Sequence, residues 1–164
     1  MFVLVEGIDG SGKSTLVKEL SNYYTGVAPK RHDKDMFLSL KLFYSDEVMV
    51  FDRSILSDMV YRIFDGEEPD CSIFDIMRVL EHSIIIYCKN KNSYKKSIER
   101  GEDNIIDKKD SKKLSQIYDT IFSMFKVYRM CDNILEYDYE KDEPDIVRCY
   151  IESLTNNEML IKED

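Results

Sequence analysis

Phe2-Val3-Leu4-Val5-Glu6-Gly7-Ile8-Asp9-Gly10-Ser11-Gly12-Lys13-Ser14 stands at the start of the chain. Phe2 to Val5 is a short apolar run, as expected of a strand buried on both faces of a parallel sheet. Gly7 to Ser14 fits G-x-x-x-x-G-K-S/T, and helical spacing begins at Lys13. A glycine-rich turn between a buried strand and a helix aims backbone N–H groups at one point, a setting that suits a phosphate. Lys13 is expected to reach the outer phosphates of a nucleoside triphosphate and the Ser14 hydroxyl to bind Mg²⁺. Gly7, Asp9, Gly10, Ser11, Gly12 and Thr15 complete the expected nucleotide-binding loop.

Working outward, Leu16, Leu20 and Tyr23 or Tyr24 share one helical face, which Thr25-Gly26 is read to end. Val27-Ala28 reads as a weak second strand, and Met36 to Tyr44 as a short helix. Val48 to Phe51 is a second buried strand and ends in Asp52-Arg53. Ser54 to Phe64 reads as a helix with Ile55, Met59, Ile63 and Phe64 inward. Ile73, Ile76, Met77 and Leu80 stripe another. Ile84 to Cys88 is a central strand. Ser93 caps a helix running to about Arg100. Gly101 to Asp110 is charged and irregular. The stripe Leu114, Ile117, Tyr118, Ile121, Phe122, Phe125, Tyr128 marks a long helix whose aromatics read better as core than as a base-stacking platform. Ile134 to Tyr137 is a last strand, and Asp142 and Pro144 open a final helix through Leu154.

Strands alternating with helices imply a three-layer α/β/α fold on a parallel, five-stranded sheet. Its ligand is expected at the carboxyl ends of the strands. Residues 1–155 then form one domain, with 156–164 as an acidic tail.

The chain has 164 residues and a formal net charge of −9. That charge argues against a long track for a nucleic-acid backbone, which needs clustered Lys and Arg. A small nucleotide is met locally and remains the expected partner. No apolar run is long enough to span a membrane, and the N-terminus lacks a signal-peptide pattern, so a cytoplasmic location is expected. Cys71, Cys88, Cys131 and Cys149 are widely spaced and form no metal-ligand pattern with His32 or His82, and so read as reduced thiols.

Asp52-Arg53-Ser54 is the second chemical signal. An acid ending a buried strand beside a phosphate loop can hold Mg²⁺, often through water. The arginine next to it can neutralise phosphate oxygens. Alone, the pair could equally be a solvated strand end.

With both motifs in view, the chain resembles the thymidylate kinases. Phe2 to Thr15 is similar to their opening, E-G-x-D-G-x-G-K-S/T. Asp52, Arg53, Ser57 and Tyr61 match in register their motif after the third strand. The likeness extends more weakly through Arg100-Gly101, Tyr118 and Asp138, over about 155 residues in all. It implies a P-loop nucleoside monophosphate kinase with ATP as donor and Mg²⁺ as cofactor. Carried over, Lys13, Ser14 and the loop amides hold ATP and Mg²⁺. Asp9 lies near the acceptor sugar's 3′-hydroxyl. Arg53 contacts the acceptor phosphate and the transferred group. Tyr61 packs beside the sugar and disfavours a 2′-hydroxyl. Phe43, Ser57 and Arg62 fall on the acceptor side. Arg100 opens a lid around 100–112 that closes over the triphosphate and excludes water. Because Gly10 leaves the loop without an arginine, the resemblance puts the catalytic cation in that lid, on Arg100 first and on Lys108 and Lys109 after it. It also allows a homodimer through helices beside the sheet.

The departures are on the acceptor side. The family's R-E-P-G-G-T stretch is not visible beyond a remnant near Pro29-Lys30-Arg31, and Leu42 to Asp46 offers aromatics but no arginine. Ser54 replaces Tyr or Phe, Arg62 replaces Gln, and Asn104 sits where a second lid Arg is common. The alternative is a deoxynucleoside kinase with Glu6 as general base for a 5′-hydroxyl. A third class is a nucleotide-binding module without transfer, or a kinase of a modified base within DNA, which the −9 charge disfavours.

Overall fold

A computed structural model describes residues 1–27, 47–81, 83–99 and 108–161. Five strands, β1 Phe2–Glu6, β2 Thr25–Val27, β3 Met49–Asp52, β4 Ser83–Cys88 and β5 Ile134–Tyr137, form one sheet in the order β2-β3-β1-β4-β5. Every pairing is parallel. The described helices are α1 Lys13–Leu20, α2 Ile55–Asp65, α3 Ile73–Leu80, α4 Ser93–Glu99, α5 Lys108–Val127 and α6 Pro144–Ile161.

Alternation along the strands divides the core in two. Leu4, Phe51 and Ile85 point to the face covered by α2, α3 and α5, where Val60, Ile76 and Tyr118 meet them. Val3, Val5, Val50, Ile84 and Ile86 point to the other face, against Leu16 and Leu20 of α1 and Val147 and Ile151 of α6. Both faces of β1 and β4 are therefore dry, which explains their unbroken apolar runs. Each such side chain contributes about 1.5–3 kcal/mol on burial. The α5 aromatics are core: Tyr118 stacks on Tyr87 with ring centroids 5.7 Å apart, and Phe122 meets Tyr87 edge-on at 4.9 Å.

The pairing register positions the site. Val5 lies opposite Asp52, and the Arg53 N–H continues the ladder to the Val5 carbonyl at 3.0 Å. The loop after β1 and the turn after β3 thus leave the sheet side by side.

Several elements differ from the sequence reading. Thr25-Gly26 lies within β2; α1 ends earlier, at Leu20, and the chain turns through Ser21 to Tyr24. Tyr24 packs on the core while Tyr23 is exposed. In α2 the buried set is Ile55, Leu56, Ser57, Asp58, Val60 and Tyr61; Ile63 is exposed and Met59 only half-buried. Buried polar partners, described below, draw Ser57 inward and rotate the helix away from the purely apolar stripe. In α3, Ile76, Val79 and Leu80 are buried but Ile73 and Met77 are exposed. Ser93 lies inside α4 and donates to the Asn90 carbonyl at 2.7 Å instead of capping. Lys108 to Asp110 belong to α5, and α6 continues past Asn156 to Ile161, so the acidic end begins as helix. Tyr128 lies just beyond α5 and is exposed. The expected helix at Met36 to Tyr44, with Phe43, and the lid from Arg100 to Asp107 lie outside the described residues. All four cysteines are free thiols. Among the described residues no helix is long and apolar enough to cross a membrane.

Candidate active site

The phosphate loop runs from the end of β1 into the first turn of α1. Gly10 has φ 74°, a left-handed conformation, and a Cβ there would run into the Ser93 carbonyl at the start of α4. Only glycine fits both demands. Gly12 caps α1 with φ 90°, under the ring of Tyr139. Lys13 curls back over the loop and donates to the Ile8 carbonyl at 2.6 Å. Its ammonium is almost wholly buried; that burial, with Arg53 nearby, lowers its pKa to about 8, while Asp9 and Asp52 oppose the shift. A buried cation with one carbonyl partner suits an arriving polyanion.

The Ser14 hydroxyl donates to Asp52 Oδ2 at 2.6 Å, so the loop and the end of β3 are joined at the place where a divalent cation would sit. The second carboxylate oxygen, Oδ1, is buried without a hydrogen-bond partner. One hydroxyl and one carboxylate fit Mg²⁺, which keeps waters and substrate phosphates as its other ligands. No larger cluster of His, Cys, Asp and Glu occurs among the described residues.

Arg53 follows, with φ 76°, rare for a residue with a side chain. Such a conformation costs about 1–3 kcal/mol and persists only where its surroundings enforce it. Its guanidinium pairs through Nη2 with Asp9 of the phosphate loop and lies 5.2 Å over the Tyr61 ring. Tyr61 in turn donates to the other Asp9 oxygen at 3.0 Å. Burial, with the Asp9 carboxylate, pushes the Tyr61 phenol up to about 12, so it is a proton donor at neutral pH. Arg53 Nη1 is buried without a hydrogen-bond partner, a cationic N–H that could take an anion.

Sequence reasoning left the role of Glu6 open, and the structure places it out of contact with water. Glu6 is 0 % exposed. Ser54 and Ser57 each donate to it at 2.5 Å, and the Tyr118 hydroxyl lies 3.5 Å from Oε2. Burial raises its pKa, against those hydroxyls and the charges of Arg53 and Lys13. Ser57 faces Glu6 and the core, not the open edge of the sheet. Arg62 pairs with Asp58 at 3.0 Å and Glu67 at 3.3 Å. Lys13, Asp9, Arg53, Tyr61, Ser14 and Asp52 do converge. A cavity of about 420 Å³ opens beside them, lined by Gly10, Gly12, Thr15, Lys96, Tyr139 and Asp142 among others. Its wall after β5 was not singled out in the sequence. There Tyr139 is held by Asn90 at 3.2 Å and lies under the Lys96 ammonium, 3.8 Å from the ring centroid. The asparagines of the β4–α4 loop carry no motif that would mark them.

No family model matches the chain. A probable thymidylate kinase from Picrophilus torridus is 26 % identical, over 87 % of this chain and 93 % of that one. The fold is similar to that of the YorR protein from Bacillus subtilis, solved in complex with phosphorylated GDP (TM-score 0.72, 19 % identity, 97 % of this chain and 98 % of that one). It is also similar to a deoxyadenosine kinase from M. mycoides with bound dCTP (TM-score 0.57, 21 % identity, 96 % and 98 %). A thymidylate kinase from Candida albicans is likewise similar (TM-score 0.52, 15 % identity, 96 % and 92 %). A phosphate loop, an acid and arginine on the adjoining strand, and this sheet order define a P-loop kinase, an ATP-dependent phosphotransferase. Within that class, the curated relative to which the chain is similar in sequence is a probable thymidylate kinase.

Proposed function

We propose that this protein transfers the γ-phosphoryl group of Mg-ATP to the 5′-phosphate of a deoxynucleoside monophosphate, dTMP or a related one. The observation that carries this reading is the convergence of two turns. The phosphate loop brings Lys13, and the turn after β3 brings Arg53, tied to Asp9 and Tyr61. In the reaction an acceptor phosphate oxygen attacks the γ-phosphorus, the bond to the β,γ-bridging oxygen breaks, and ADP leaves. An acceptor phosphate with a second pKa near 6 is already an anion at pH 7, so no strong base is needed. Catalysis is then positioning and charge neutralisation.

Lys13 and the loop amides bind the donor phosphates. Ser14 and Asp52 hold Mg²⁺, which supplies charge neutralisation on the phosphate oxygens when bound. The cavity beside Tyr139 accommodates the donor nucleoside, and the free Arg53 Nη1 is directed to the acceptor phosphate. Arg100 and the lid supply the remaining cation in this reading. A nucleoside acceptor would need Glu6 within reach of a 5′-hydroxyl, but that carboxylate is wholly buried and occupied by hydroxyls, which weighs against it.

The test is ADP release with Mg-ATP and a panel of deoxynucleoside monophosphates, ribonucleoside monophosphates, deoxynucleosides and oligonucleotides. Turnover with the deoxynucleoside monophosphates is expected. Turnover confined to nucleosides or to oligonucleotides would overturn the proposal.

A further inference from the structure

Arg53 adopts a left-handed backbone without being glycine, and the residues on either side of it are fixed by consecutive residues of β1. Its own N–H is bonded to the Val5 carbonyl at 3.0 Å. The next residue, Ser54, donates its hydroxyl to Glu6 at 2.5 Å and accepts from the Leu56 N–H at 3.1 Å, capping α2. Ser57, one turn further on, donates to the other Glu6 oxygen at 2.5 Å and lies 3.0 Å from the Tyr118 hydroxyl on α5. Glu6, Ser57 and Tyr118 are each 0 % exposed. A carboxylate has about four lone-pair sites. Here the hydroxyls of α2 and α5 surround it.

We propose that Glu6 is a positioning residue, whose buried carboxylate anchors Ser54 and Ser57 and so holds the strained Arg53 turn in the geometry that aims its guanidinium at the acceptor phosphate. The kinetic part of this inference rests on the phosphoryl-transfer reading above. Glu6 touches no reacting atom and moves no proton. Remove the anchor and α2 loses its tie to β1, the left-handed residue relaxes, and the guanidinium leaves Asp9.

The test compares Glu6→Gln, Glu6→Ala, Arg53→Ala and the Glu6→Ala/Arg53→Ala double variant in steady-state transfer. Glutamine keeps one acceptor oxygen for Ser54. Its amide donates to Ser57, whose hydroxyl then turns to Tyr118. Glu6→Gln is expected to stay within about tenfold of wild type in kcat/KM for the acceptor, and Glu6→Ala to lose about a hundredfold. In the Arg53→Ala background Glu6→Ala is expected to cost less than about threefold more, because residues acting through one another are not additive. A full further hundredfold loss, or a glutamine variant as inactive as the alanine variant, would overturn the proposal.

A second readout needs no turnover. The side-chain Nε–H signal of Arg53 in ¹⁵N-arginine protein, assigned by its loss in Arg53→Lys, is expected to stay dispersed in Glu6→Gln and to collapse to the solvent-exposed position in Glu6→Ala. An unchanged Arg53 signal in Glu6→Ala would refute the anchor even if the wild type phosphorylates no nucleotide. Absence of transfer with the expected signal change would refute only the function. If thermal melting finds Glu6→Ala unfolded, Ser57→Ala replaces it. That variant is expected to show a smaller but equally non-additive loss and to broaden the Arg53 signal; full additivity with Arg53→Ala, or an unaltered signal, counts against the proposal.

Discussion

Gly10 and Arg53 occupy nearly the same backbone conformation, φ 74° and φ 76°, at the ends of neighbouring strands. Their solutions differ. Gly10 turns freely, and α4 closes over it so that no side chain fits. Arg53 accepts strain, and a buried network beneath it holds the turn. In the proposed reaction the donor loop presents its backbone to phosphates, and Gly10 needs no side chain there. The turn after β3 presents a guanidinium, so it keeps its side chain and carries the strain.

The comparison can be broken at either turn. Lys13→Ala removes the ammonium that the proposed reaction sets against the outer phosphates and is expected to lower kcat by about a thousandfold or more. A variant within tenfold of wild type would remove the loop from the chemistry. Arg53→Ala is expected to cost about a hundredfold or more in kcat/KM for the acceptor, with the KM for ATP little changed. Arg53→Gly should be equally inactive yet more stable than Arg53→Ala by about 1 kcal/mol in urea unfolding, since glycine accepts the left-handed angle. Equal stabilities would show that the turn is not strained. Gly10→Ala should lower stability by about 2–3 kcal/mol, through both the angle and the clash with Ser93. The smallest effect is expected from Tyr61→Ala, about a tenfold loss of discrimination between deoxyribo- and ribonucleotide acceptors, measured as a ratio of kcat/KM values. Unaltered discrimination would take Tyr61 out of the sugar site.

The same contrast explains how much the sequence disclosed. The phosphate loop was legible because a closely spaced glycine pattern and an apolar strand determine it locally. β3, β4 and β5 were legible as apolar runs, and α5 as an aromatic stripe. β2 was misplaced because Thr25-Gly26 has the composition of a helix stop, and it is pairing with β3 that makes it a strand. The inward face of α2 was misread because Ser57 and Asp58 are buried polar residues, which periodicity assigns outward. The start of α5 was missed because Lys108 to Lys113 carry charge and no apolar marker before Leu114. Glu6 was visible as a residue, but its buried setting was not. Its partners lie 48, 51 and 112 residues away, and no local pattern announces a carboxylate whose hydrogen-bond donors arrive from α2 and α5.

In the proposed reaction the phosphate loop and the turn after β3 share one transferred phosphoryl group. The most direct test is the affinity of dinucleotides that join adenosine to deoxythymidine through a phosphate chain, measured by calorimetry with Mg²⁺. A triphosphate donor, whose γ group is the one in flight, and an acceptor phosphate together hold four phosphates, and about one more bridges the in-line gap between them, giving five; a nucleoside acceptor by the same count takes about four. The account predicts that the pentaphosphate binds at least about tenfold tighter than ATP and tighter than the tetraphosphate. Tighter binding of the tetraphosphate, or no gain over ATP from either, would contradict it.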